Sequence, residues 1–255
     1  MGSFIVAFIL FAVIGALGAF LSGLIGIGGA IIMYPILLFI PPLFNIDMTP
    51  TTAAGLTAAQ VFFSTLSGSI SQRKNENLNF SIIIPMSIGI LLGSITGAYV
   101  ASIFDENIIN IVYTFLAIVA VILMFIKVKP NEKDAKYHKI ALFIVAAVIG
   151  ILSGIVGAGG AFLIVPILLT FFKAPFSVVV ANSIIVAFVS SIGTFMTKFI
   201  TGSINLEYAL PLIIASLIFA PFGTKASKNT NQSILRLILT TLIIIAAIKM
   251  IIDII

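Results

Sequence analysis

Leu21 to Leu38 reads LSGLIGIGGAIIMYPILL, and 131 residues later Leu152 to Leu169 reads LSGIVGAGGAFLIVPILL. Eleven of the eighteen positions are identical: the opening Leu and Ser, four glycines, an alanine, and the closing Pro-Ile-Leu-Leu. Shared apolar composition would match Ile to Leu, but it would not set four glycines and a proline in one register. Outward from this pair the match continues at an offset of 126, with Leu78-Asn79 on Ile204-Asn205, Pro85 on Pro211 and Gly97 on Gly223. The chain therefore reads as a duplication: residues 1–127 form a first repeat, 140–255 a second, and 128–139 a linker.

Composition sets the medium in which the repeats fold. Of 255 residues 61% are hydrophobic and 8% charged, against about 25% charged in a soluble globular protein. That argues against a water-soluble fold. Long apolar runs cover about 4–25, 28–43, 51–70, 80–103, 108–127, 140–156, 159–172, 177–199, 206–223 and 233–255. Between the fifth and sixth lies KVKPNEKDAKYHK, Lys127 to Lys139, the most charged stretch. The expected fold is an all-α polytopic membrane protein of two inverted five-segment repeats, with eight to ten transmembrane helices, some broken or half-membrane. No basic residue precedes Arg73, so the N-terminus reads as a first membrane segment rather than a cleaved leader. Cys is absent, which removes disulfide and thiolate chemistry.

The net charge of +5 reads as topology rather than as affinity for nucleic acid. Ten crossings put eleven basic residues on one side and only Lys198 and Lys249 on the other. Fusing the first two segments of each half, for eight crossings, divides the same residues nine against four. A fused helix over 4–43 would also be about 60 Å long, against a hydrocarbon core of about 30 Å. Five segments per half is an odd number, which turns the second copy upside down. The expected location is the cell membrane, with linker 128–139 cytoplasmic and both termini outside. A re-entrant first pair in each half leaves the charge count unchanged, and charge bias does not separate it from two full crossings.

Each repeat centres on Ser-Gly-x-x-Gly-x-Gly-Gly followed by Pro: Ser22, Gly23, Gly26, Gly28, Gly29 and Pro35, then Ser153, Gly154, Gly157, Gly159, Gly160 and Pro166. So many glycines weaken helix, and in hydrocarbon the freed backbone groups need protein, water or ligand partners. A helix restarting after the last Gly would turn unpaired N–H groups toward the break, a favourable place for an anion. The alternative is close helix packing by small residues. Two copies in one register favour a binding site, with Pro35 and Pro166 as helix-break or hinge positions and tolerated kinks as their plain alternative. Thr57, Gln60, Asn182 and Ser183 are the next candidates, as neutral donors to oxyanion oxygens, with interhelical bonding as their plain alternative. Glu207 and Lys198 lie near segment ends as candidate coupling or gating groups, with interfacial snorkelling as the default for both. No cofactor or metal is expected.

These motifs resemble the sulfite exporter TauE/SafE family, also called TSUP permeases, over essentially the whole chain. The resemblance rests on Ser22 to Pro35, Ser153 to Pro166, Gly202-Ser203-Ile204-Asn205, and the Pro85 to Gly97 and Pro211 to Gly223 pairs. Asn75 to Asn79 departs from the Gly-led turn in the first half. Membership implies an inner-membrane permease for sulfur-containing oxyanions such as sulfite, sulfoacetate or related organosulfonates, with a permease for a non-sulfur anion as the alternative. The partners implied are the lipid bilayer and a small anionic substrate. An intramembrane enzyme would need a nucleophile with a base, or clustered metal ligands, and no apolar segment carries either. A non-transporting scaffold would explain packing glycines but not two breaks flanked by polar residues.

Overall fold

The computed structural model describes residues 2–25, 30–73, 75–126, 128–130 and 137–254. These form α-helices and no strand: α1 Gly2–Ile25, α2 Ala30–Phe39, α3 Pro50–Gln72, α4 Phe80–Val100, α5 Glu106–Phe125, α6 Lys139–Val156, α7 Ala161–Thr170, α8 Phe176–Ile200, α9 Leu206–Asn229 and α10 Gln232–Ile254. A 3-10 turn, Pro41–Phe44, follows α2. Each expected apolar run is a helix. Seven of them are long and apolar enough to cross a membrane among the described residues.

The other three depart for physical reasons. With ten residues each, α2 and α7 are about 15 Å long, half of the hydrocarbon core. By contrast α3 has 23 residues, length enough to span, but carries Thr, Ser and Gln along its length. It tolerates them because neighbours surround it: α1, α2, α5, α8 and α9 all pack on it. Apolar residues such as Ile9, Val13 and Leu17 of α1 are exposed, while Thr57, Gln60, Ser64 and Thr65 of α3 are buried. This inversion of the soluble pattern is what a lipid solvent selects.

Short interhelical contacts set the directions. Ser22 Oγ stands 3.1 Å from Ser64 Oγ, and Gly18 faces Gln60, both at a spacing of 42, so α1 and α3 run parallel. The chain must therefore turn back between them, through α2 and the 3-10 turn. The first two segments are not one fused span. The two most extensive packings are α4 on α6 and α1 on α9. Gly89, Gly93 and Gly97 of α4 press on the backbone of Phe143, Ala147 and Ile151 of α6, one turn apart and in the same order, so this pair is parallel. Phe11 stacks on Tyr208 at 4.6 Å, and Gly15 and Gly23 meet Leu212 and Ala220, which makes α1 and α9 parallel too. The two interfaces correspond at their closest glycine contacts. Gly23 lies against the Ala220 carbonyl and the Thr224 amide, and Gly154 against the Ser94 carbonyl and the Ala98 amide, at the same offsets of 131 and 126.

Candidate functional site

Of the first glycine-rich stretch, Gly26, Gly28 and Gly29 lie outside the described residues. The second stretch shows the expected break in full. After Val156 the helix ends in a Schellman arrangement: the Gly157 amide donates to the Gly154 carbonyl and the Ala158 amide to the Ser153 carbonyl. Gly157, Gly159 and Gly160 all take positive φ, at 81°, 58° and 72°. Left-handed backbone costs other L-residues about 1–2 kcal/mol each, so three in four positions explain the glycines. Helix α7 restarts at Ala161 with Gly160 as its N-cap and no side-chain cap.

A line of hydroxyls crosses the bundle beside this break. Ser22 Oγ of α1 meets Ser64 Oγ of α3 at 3.1 Å, and the adjacent Thr65 Oγ1 meets Ser191 Oγ of α8 at 3.2 Å. A Cβ placed on Gly159 would stand 3.5 Å from the Cβ of Ser191. The line thus joins Ser22 of the first motif to Gly159 of the second. Helical period explains it: Thr57, Gln60, Ser64, Thr65 and Gln72 share one buried face of α3, and Ser183, Ser190, Ser191, Thr194 and Lys198 one buried face of α8. The two helices cross antiparallel, with Phe62 stacked on Phe195 at 4.8 Å beside the seam.

Most hydroxyls here are satisfied within their own helix. Thr57 Oγ1 donates to the Ala53 carbonyl at 2.7 Å, Ser153 Oγ to Ile149 at 2.6 Å, and Ser183 Oγ to Val180 at 3.3 Å. Three buried groups are not: both amide atoms of Gln60, Ser190 Oγ and Lys198 Nζ have no hydrogen-bond partner among the described residues. A buried polar group without a partner costs about 1–3 kcal/mol, which a bound polar ligand or water removes.

The remaining candidates scatter. Gly23 and Gly154 sit in the two parallel interfaces, where only a hydrogen leaves room for the facing backbone. Asn182 is buried, but its amide is occupied: Oδ1 accepts from the Asn79 amide at 2.7 Å, and Nδ2 donates to the carbonyls of Asn77 and Val178. It ties α8 to the turn between α3 and α4. Pro35 and Pro166 lie inside α2 and α7, and the Ile31 carbonyl that Pro35 leaves without its helical donor accepts from Tyr113 Oη. Glu207 is exposed in the first turn of α9, where its amide donates to the capping Asn205 Oδ1. Lys198, by contrast, does not snorkel. It is fully buried. Ser64, Thr65, Ser190 and Ser191 are the seam residues that reading the motifs alone passes over; their signal is the helical period combined with the 126-residue offset, which pairs Thr65 with Ser191.

At the linker end, Gln72, Asn75, Asn77, Phe176, Ser177 and Thr230 line part of a cavity of about 450 Å³. With apolar side chains exposed outside and a buried polar seam inside, the fold is that of an all-helical polytopic membrane protein. The sequence profile of the sulfite exporter TauE/SafE family matches residues 10–250, and the chain belongs to that family. It is 26% identical over 266 residues to the probable membrane transporter protein YunE of Bacillus subtilis, covering 96% of this chain and 97% of the relative. A probable membrane transporter protein of Methanocaldococcus jannaschii is 27% identical over 245 residues, covering 92% of this chain and 91% of the relative. One from Sinorhizobium is 24% identical, over 93% of this chain and 89% of its own length. No solved structure matches the chain.

Proposed function

We propose that the protein is a membrane permease for a small sulfur-containing oxyanion, such as sulfite, sulfoacetate or a related organosulfonate. It moves the anion by alternating access around the two Gly-rich breaks. The observation that carries the reading is the buried seam, in which Gln60 and Ser190 hold unpartnered polar atoms beside the Ser22–Ser64 and Thr65–Ser191 contacts. The family name supplies the sulfur chemistry. In this reading residues 1–127 and 140–255 are inverted copies joined by a cytoplasmic linker, 128–139, with both termini outside. Supporting the inversion, each copy's first helix packs parallel to the other's fourth, and Thr65 meets its offset partner Ser191.

Proteoliposomes carrying the protein are expected to take up labelled sulfite or sulfoacetate faster than empty vesicles. Gly159→Leu, which strains a left-handed residue and fills the space beside Ser191, is expected to abolish that flux. Gly159→Asn, which tolerates the same φ, is expected to keep the fold and lose flux in part. Absence of flux across sulfite, sulfoacetate, sulfate and simple carboxylates would sink the permease reading.

A further inference from the structure

Among the described residues, Lys198 is the one buried charged side chain. It stands in the last turn of α8, where its neighbours Phe199 and Ile200 are 51% and 82% exposed. A lysine so close to a helix end ordinarily runs its stem along the apolar surface and sets its ammonium in the interface. Lys198 is 0% exposed instead, and its Nζ has no hydrogen-bond partner among the described residues. The helical period puts it on the face of Ser191 and Thr194, seven and four residues earlier, and Ser191 is the hydroxyl that meets Thr65 and borders Gly159.

The duplication sharpens the observation. At the offset of 126, the first-repeat counterpart of Lys198 is Gln72. Gln72 is neutral and satisfied: its Oε1 accepts from Asn75 Nδ2 at 2.6 Å, and it lines the cavity at the linker end. One position thus carries a satisfied amide at one end of the seam and an unsatisfied ammonium at the other. Burying an ammonium unpaired is costly, and a neutral side chain of the same length would avoid the cost. A lysine amine enclosed without a partner is relieved by a counter-charge that arrives from outside the chain.

We infer that Lys198 is the counter-charge for the transported anion, so that the seam selects small oxyanions bearing a full negative charge and rejects neutral sulfones of the same shape. This rests on the permease reading and adds charge recognition to it. Neutral donors such as Gln60 and Ser190 bond sulfonyl oxygens whether or not the molecule is ionised; the ammonium is what separates methanesulfonate from dimethyl sulfone.

The test follows the unfolding temperature of the full-length protein in detergent, at constant ionic strength. The probes are sulfite, sulfate, sulfoacetate, methanesulfonate and dimethyl sulfone. At least one anion is expected to stabilise the native sequence, and dimethyl sulfone is not. Lys198→Met is expected to unfold at a higher temperature than the native protein without ligand, and to bind the stabilising anion about thirtyfold or more weakly, while Lys198→Arg retains binding. Undiminished anion stabilisation in Lys198→Met overturns the assignment and leaves the permease reading standing. Stabilisation of the native protein by none of the anions overturns both. If Lys198→Met does not fold, Lys198→Gln against Lys198→Arg makes the same comparison: loss in Gln with retention in Arg supports the assignment, and equal shifts overturn it.

Discussion

Tyr113 shows how single residues keep this interior consistent. A proline inside a helix removes a donor and frees the carbonyl four residues earlier, which in a lipid setting has no water to turn to. Pro35 does this to Ile31, and Tyr113 Oη from α5 donates to that carbonyl while its ring stacks on Tyr34 at 4.9 Å. Removing the hydroxyl in Tyr113→Phe is expected to cost about 1–2 kcal/mol in reversible unfolding. In a Pro35→Ala background the new amide of residue 35 supplies the missing helical bond, and the same substitution is expected to cost under about 0.5 kcal/mol. Equal costs in both backgrounds would show that the hydroxyl does not serve the proline. The four positions 157–160 work by a different rule at the same scale. Their glycines are required by backbone sign, whereas Gly154 just before them is required by the nearness of Ser94.

Between elements, glycine acts as a spacer. In a membrane there is no hydrophobic gain from pressing two apolar helices together, so close backbone approach and dispersion decide which helices pair. Gly97 is placed so that a Cβ would run into the Ile151 carbonyl. In an ordinary helix interior Gly→Ala stabilises by about 0.5–1 kcal/mol. At Gly97 the sign is expected to reverse, to a loss of about 2–3 kcal/mol measured by chemical unfolding. Gly223→Ala is expected to behave alike, because Gly223 meets Phe20 as Gly97 meets Ile151. A stabilising Gly97→Ala would show that α4 and α6 are farther apart than described. Interhelical polar contacts add the second rule: Asn182 binds the turn between α3 and α4, holding the linker-end rim of the seam in place.

At the scale of the molecule, the helix directions make a claim about sides. The loop before α3 and the turn after α4 share one end of the bundle, and the turn after α3 shares the other with the start of the linker. Because the chain has no cysteine, single replacements can report this directly. In the proposed orientation a membrane-impermeant maleimide is expected to label Asp47→Cys and Asp105→Cys in intact cells, and Glu76→Cys and Lys129→Cys only after permeabilisation. The reverse pattern would invert the orientation; labelling that splits Asp47 from Asp105 would break the arrangement of the helices itself.

Much of this was legible without coordinates, because it depends on local chemistry. Apolar runs, glycine clusters and a 131-residue repeat are properties of neighbouring residues, so they locate the helices and the break at 157–160, and they expose the duplication. Which polar groups remain available is not local. Asn182 looks like a donor to substrate along the chain, and the turn 77–79 consumes it. Lys198 looks like an interfacial lysine, and the fold encloses it. Ser64 and Ser191 attract no notice singly, yet they complete a line from α1 to α8. Hydropathy cannot assign these fates, since the rotation of each helix about its axis is set by partners 42 to 126 residues away, and it is that rotation which decides whether a polar atom finds a bond or waits for one.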